Sequence, residues 1–239
     1  MTGNINDANT INYVYRFTFK DGVKKEFKIS LGARDLNYIN PRKESPYPWT
    51  ELKYHKCPIC PLDDNSCRFC PVAVNLADVI DFFKTSVSHE EIEVLVQSDE
   101  RTYLKNAPLQ YGLSSLIGIY MVTSGCPIMA KLQPMVRFHL PFASMEETAY
   151  RMISMYLSAQ YFCHRRGGKP DWDLKNLKKI YEDVRVVDKS FCSRLLDITT
   201  RDAGVNAFVI LDTAANYINM TLEEMLDSLE GMFGSYYAR

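Results

Sequence analysis

Cys57-Pro-Ile-Cys60 and Cys67-Arg-Phe-Cys70 put four of the chain's seven cysteines into two C-x-x-C pairs separated by six residues. A C-x-x-C turn brings two thiolates toward one soft cation, and a second pair soon afterwards can complete the tetrahedron of a structural Zn²⁺ site. Such a closed shell leaves no position for substrate, so the chemistry it implies is structural rather than catalytic. Pro58, Pro61 and Pro71 follow Cys57, Cys60 and Cys70. Zinc knuckles often carry Gly after the second Cys, whereas Pro holds φ at about −65° and offers no N–H to a sulfur. Cys-Pro endings also occur in bacterial ferredoxin motifs, although the spacing C-x2-C-x2-C-x3-C is absent here. The first expectation is zinc on Cys57, Cys60, Cys67 and Cys70, the second an iron–sulfur cluster, and the third disulfides or plain reduced thiols. His55 reads as a surface histidine rather than a substitute ligand.

A second place where chemistry is conceivable is Ser124-Gly125-Cys126-Pro127. Gly allows a tight turn and Pro suits the first position of a helix, so Cys126 is expected at a helix N-terminus, where the dipole favours thiolate. Arg137 and His139 alternate in Val136-Arg-Phe-His-Leu and would project to one side of an extended segment, as an anion clamp and a general base for that thiol. The bland reading, which we favour from sequence, buries Cys126 and leaves Arg137 and His139 as surface or capping groups. Cys163 and His164 are neighbours in a long helix and point about 100° apart, so they read as core cysteine and surface histidine. Cys192 also reads as core. Common enzyme fingerprints (P-loop, Gly-x-Gly-x-x-Gly, Gly-x-Ser-x-Gly, His-Glu-x-x-His) are missing, which leans the reading away from an enzyme without excluding one.

These residues need elements to hold them. Tyr13, Tyr15, Phe17 and Phe19 alternate with Val14, Arg16 and Thr18, Asp21-Gly22 gives a turn, and Val23, Phe27 and Ile29 continue the apolar face, so residues 12 to 30 read as a β-hairpin. A loop with Pro41, Pro46 and Pro48 leads to a short expected strand near Glu51 to His55, then to the cysteine loop and a helix over 72 to 87. Residues 91 to 97 and 101 to 106 predict a second hairpin. Helices are expected near 109 to 124, 128 to 136, 144 to 166, 174 to 199, 203 to 218 and 221 to 237, with capping boxes at Ser144/Glu147 and Thr221/Glu224. Met152, Met155, Tyr156 and Tyr161 form a stripe expected in the core. Residues 1 to 11 are expected to fray. The fold class is α+β: antiparallel β-hairpins and a four-cysteine metal loop in a β-rich part over 12 to 106, a mostly helical part over 107 to 239, and one continuous globule.

The 239 residues are 46% hydrophobic and 24% charged with a formal net charge of −1, which suits a soluble globular protein and supplies no basic field for nucleic acid or anionic lipid. Lys53, Lys56 and Arg68 flank the cysteine loop, but Asp63 and Asp64 offset them, so a protein partner is expected before nucleic acid. The start lacks a signal-peptide pattern, and the most apolar window, Leu113 to Val122, is too short to span a bilayer and reads as a buried helix. Paired C-x-x-C motifs without an export signal suit a reducing cytoplasm.

The order Cys57-Pro-x-Cys60-Pro61-Leu62, Cys70-Pro71-Val72-Ala73, Leu113-Ser-Ser-Leu116, Ser124-Gly-Cys126-Pro127 and Arg137-Phe-His139-Leu-Pro-Phe142 resembles an uncharacterised bacterial family, a domain of unknown function, over residues 12 to 215. The resemblance implies no activity and no site residues, and it implies a bacterial cytoplasmic setting. The functional expectation is a zinc-stabilised intracellular binding or regulatory module. The alternatives are a thiol-dependent enzyme centred on Cys126 and an iron–sulfur electron-transfer protein.

Overall fold

The computed structural model describes residues 9–39 and 44–237. Strands β1 (Thr10–Thr18), β2 (Lys24–Gly32), β3 (Glu91–Ser98) and β4 (Thr102–Pro108) form one antiparallel sheet in the order β2-β1-β3-β4. In β1 the period of two is complete: Ile11, Tyr13, Tyr15 and Phe17 are buried and the residues between them are half-buried. Register places Tyr15 opposite Phe27 and Tyr13 opposite Ile29, so both arms of the hairpin load one face. Gly22, at φ +88°, takes the left-handed position of the turn, and Gly22 N–H donates to Phe19 O at 3.0 Å. Val23 leaves the expected apolar face and is half exposed, because it belongs to the turn. The strand starts at Thr10, so residues 10 and 11 are ordered in β1, while the rest of the expected frayed start lies outside the described residues except for residue 9.

Helix α1 (Pro71–Phe83) covers the loaded face with Phe83, whose ring centroid is 5.1 Å from Phe17 and 5.9 Å from Phe27. Helix α2 (Leu109–Val122) follows β4 directly and lies so close to the sheet that a Cβ on Gly112 would sit 2.8 Å from Val94 Cγ2. Helices α3 (Met145–Arg165), α4 (Lys175–Leu196) and α5 (Ala203–Glu230), then a short 3-10 turn and α6 (Gly234–Tyr237), complete the helical part. Phe191 of α4 stacks on Phe208 of α5 at 5.2 Å. One hydrophobic cluster runs from the sheet through α1 and α2 to these helices. No helix among the described residues is long and apolar enough to cross a membrane.

Several expectations are corrected. No strand forms over 51 to 55: Glu51 makes a single bridge to Phe69, and the chain turns away, with His55 at φ +45°. Residues Met129–Phe138 form a 3-10 helix rather than an α-helix, consistent with Pro134 inside it, which lacks an N–H and clashes with the i−4 carbonyl. The Ser144/Glu147 capping box is made in both directions. The Thr221/Glu224 box is not, because Thr221 Oγ1 donates to Tyr217 O at 2.7 Å inside a continuous α5. Ile218, Leu222, Met225 and Leu229 carry the buried stripe through the expected break. Tyr161 is exposed and Met155 half-buried, so only Met152 and Tyr156 of the expected stripe are core. Cys163 and Cys192 are half-buried rather than core.

Candidate functional site

The cysteine loop is tied at its base by backbone bonds. Leu52 N–H donates to Arg68 O at 2.8 Å and Cys70 N–H to Thr50 O at 2.9 Å, and Cys60 N–H closes on Cys57 O at 2.9 Å. Lys56 Nζ crosses the loop to Leu62 O at 2.7 Å and to Asp64 at 2.8 Å. Cys70 is buried at the N-cap of α1, and Pro71 at the first helical position explains why a Pro is suited there. None of the seven cysteines is in a disulfide. Among the described residues no three His, Cys, Asp or Glu side chains are grouped so as to hold a metal ion. Cys67 Sγ lies 3.1 Å from Phe69 O. His55 is at the surface, 2.7 Å from Asp197.

Arg194 of α4 braces this loop. The residue is 1% exposed, Nη1 donates to Trp49 O and to Glu51 O (3.0 Å for the latter), and the guanidinium lies over the rings of Tyr54 and Phe191 at 5.6 and 5.3 Å. Its charge opposes the rise that burial causes in the Cys70 thiol, which is pushed up to about 11, and in the Cys57 thiol.

Cys126 is not at the N-terminus of a helix. Gly125, at φ +87°, turns the chain, and Cys126 stands three residues ahead of the 3-10 helix, 8% exposed. Burial pushes its thiol up, against the lowering effect of the Met129 and Ile128 amides, which is opposite to the expected dipole effect. Electrostatically it couples to Cys57, Cys60 and Cys70. Arg137 and His139 do not share a side, because the 3-10 turn separates them. Arg137 is exposed and 3.8 Å from Glu100, while His139 faces inward.

His139 Nε2 is 2.5 Å from Tyr15 Oη and 3.4 Å from Ser115 Oγ, and Tyr15 Oη is 2.8 Å from Ser115 Oγ. Burial, helped by the charge of Arg151, pushes His139 down to about 3, so the ring is neutral at physiological pH. His139 and Ser115 stand in the wall of a cavity of ≈ 630 Å³ between α2, the 3-10 helix, α3, α4 and α5. Met121, Val122, Leu132, Met152, Leu211 and Ile218 supply apolar walls, and Arg151, Tyr181 and Asp188 supply polar ones. Arg151 Nε and both carboxylate oxygens of Asp188 are buried without a hydrogen-bond partner among the described residues. A cavity of this size, mostly apolar with a few converging polar groups, has the character of a small-molecule site.

A family model described as Domain of unknown function (DUF6901) matches residues 13–234. The chain belongs to that family. No curated protein and no solved structure matches it. Within this DUF6901 chain, the cavity is the feature that motif reading missed, since it contains no spaced signature. One signal was present. Asp188 interrupts the apolar stripe Val184, Val187, Phe191 and Leu195 of α4, and a carboxylate on a core face is informative.

Proposed function

We propose that this DUF6901 protein is a small-molecule-binding module whose site is the helical cavity, with the cysteine loop as a zinc-stabilised brace and the bacterial cytoplasm as its setting. The observation that carries this reading is the ≈ 630 Å³ cavity, because its apolar walls and unpaired buried polar groups are costly to maintain without an occupant. Nile red is expected to show enhanced, blue-shifted emission on binding. Ala214→Trp, which fills the cavity from α5, is expected to abolish that signal while leaving the circular dichroism spectrum unchanged. Equal emission from both proteins would refute the site.

Zinc is proposed from the donor set: four thiols in two C-x-x-C pairs beside a buried guanidinium whose charge favours thiolate. A zinc-bound Cys67 thiolate would give up the contact its Sγ makes with Phe69 O. Metal analysis of aerobically purified protein is expected to find near-equimolar zinc in a colourless sample. Brown, iron-containing protein would assign a cluster instead, and metal-free protein would sink both. The thiol-enzyme alternative is less favoured, since Cys126 is buried and Arg137 and His139 are engaged elsewhere.

A further inference from the structure

We infer that the cavity takes an amphipathic carboxylate, an apolar body ending in a single carboxylate group, with the head group held by Arg151, Tyr181 and His139. This rests on the binding reading above and deepens it. Arg151 projects from α3, Tyr181 from α4 and His139 from the end of the 3-10 helix, and all three line the same cavity. They are also electrostatic neighbours, since the Arg151 charge acts on both Tyr181 and His139.

Each group has donor capacity that the described residues leave unused. Arg151 Nη2 donates to Met135 O at 3.1 Å, but its Nε is buried with no partner. The Tyr181 hydroxyl is directed only to Met135 Sδ at 3.9 Å, a weak acceptor, although the residue is 3% exposed. His139 Nε2 is engaged by Tyr15, and in the tautomer whose Nε2 accepts a hydrogen bond from the phenol, Nδ1 carries the proton and is a donor. Three donors from three elements, one of them a desolvated cation, form a pole that an anion complements through charge-assisted hydrogen bonds.

Two acids share the same wall, and the charge of Glu147 reaches Arg151 although its carboxylate is directed elsewhere. Glu147 directs its carboxylate to Ser144 N–H at 2.7 Å in the capping box. Asp188 is covered, and burial raises its pKa well above the usual carboxylate range, which disfavours a negative charge there. Lys105, over the Phe142 ring at 5.6 Å, adds a second positive group to the lining. An ammonium head would meet repulsion here, and a phosphate dianion would lack a second buried cation. Met121, Leu132, Met152 and Leu211 provide the apolar surface for the body.

Isothermal titration of the full chain with decanoate, decanol and decylamine, each below its micelle concentration, tests this. Decanoate is expected to bind roughly tenfold or more tighter than decanol, the gain of a hydrogen-bonded charge over an uncharged head. Arg151→Met is expected to weaken decanoate roughly tenfold and decanol far less, so that the preference for the carboxylate is lost, and the near-isosteric Tyr181→Phe to weaken decanoate severalfold should the first variant fold poorly. Decanol equal to decanoate, or decylamine tighter than both, would overturn the carboxylate assignment while keeping the cavity as a site. Absence of binding by all three probes would overturn the cavity reading as well.

Discussion

Arg194→Met is expected to lower the stability of the protein by about 2–4 kcal/mol, because it removes a hydrogen-bonded buried cation at the joint between α4 and the cysteine loop. Arg194 is 1% exposed, and its Nη1 serves two backbone carbonyls, Trp49 O and Glu51 O. Without it, Trp49 O loses this donor and Glu51 O keeps Tyr54 N–H at 3.2 Å. Two ring contacts, to Tyr54 and Phe191, also disappear. Methionine fills much of the volume but offers no donor, so the lost hydrogen bonds dominate. The urea midpoint should fall, and hydrogen exchange should quicken first at the Leu52 and Cys70 amides that close the loop base. A midpoint that stays or rises would mean that the desolvation cost of the guanidinium, whose Nε has no partner among the described residues, outweighs the bonds it makes.

What is legible in the sequence follows from the range of the interactions concerned. The β1–β2 hairpin can be read because strand alternation and an Asp21-Gly22 turn are local, and its register comes with them. The second hairpin, α1, α2 and the capped start of α3 are legible for the same reason. Thr221 misleads because S/T-x-x-E is ambiguous: the same hydroxyl can cap a helix or bond the carbonyl four residues back, and the buried stripe from Ile218 to Leu229 decides for the latter. The 51 to 55 segment misleads because an apolar and polar mixture next to a metal-like loop resembles a strand, while the actual pairing is a single bridge closed from Phe69.

The candidate site is less legible, since it depends on contacts between residues far apart in the chain. Motif spacing locates the cysteine loop, but not Arg194, which braces it from α4 across more than a hundred residues. Sequence singles out His139 with the wrong companions: its partners are Tyr15 and Ser115, on β1 and α2, rather than Arg137 or Cys126. The cavity itself arises where five helical segments fail to close on one another, and no periodicity encodes a void. Sequence does encode the anomaly beside it. Two ionisable residues, Asp188 and Arg194, occupy the buried face of α4, and each marks a place where the core is not merely a core.

Asp188→Leu is expected to stabilise the protein by about 1–3 kcal/mol at neutral pH, the cost of a buried polar group that has no hydrogen bond. Asp188 is 1% exposed and both carboxylate oxygens lack a partner among the described residues. Burial, then the negative charge of Asp212, raises its pKa well above the usual range, and Arg185 offsets this only in part because it is bound to Asp212 at 3.0 Å. The sign of the pH dependence follows. An aspartate unfolded near about 3.9 and raised in the native state binds more protons when folded. Its favourable contribution is therefore fully present below the unfolded value and is lost as pH rises through the native one. Leucine continues the stripe Val184, Val187, Phe191 and Leu195 and has no proton to lose. The variant should melt at a higher temperature at pH 7, with the gain shrinking as pH falls toward about 4, the unfolded aspartate value. A lower melting point at pH 7, or a gain independent of pH, would show that the carboxyl is ionised and satisfied in the native protein, with ordered water in the cavity as its partner.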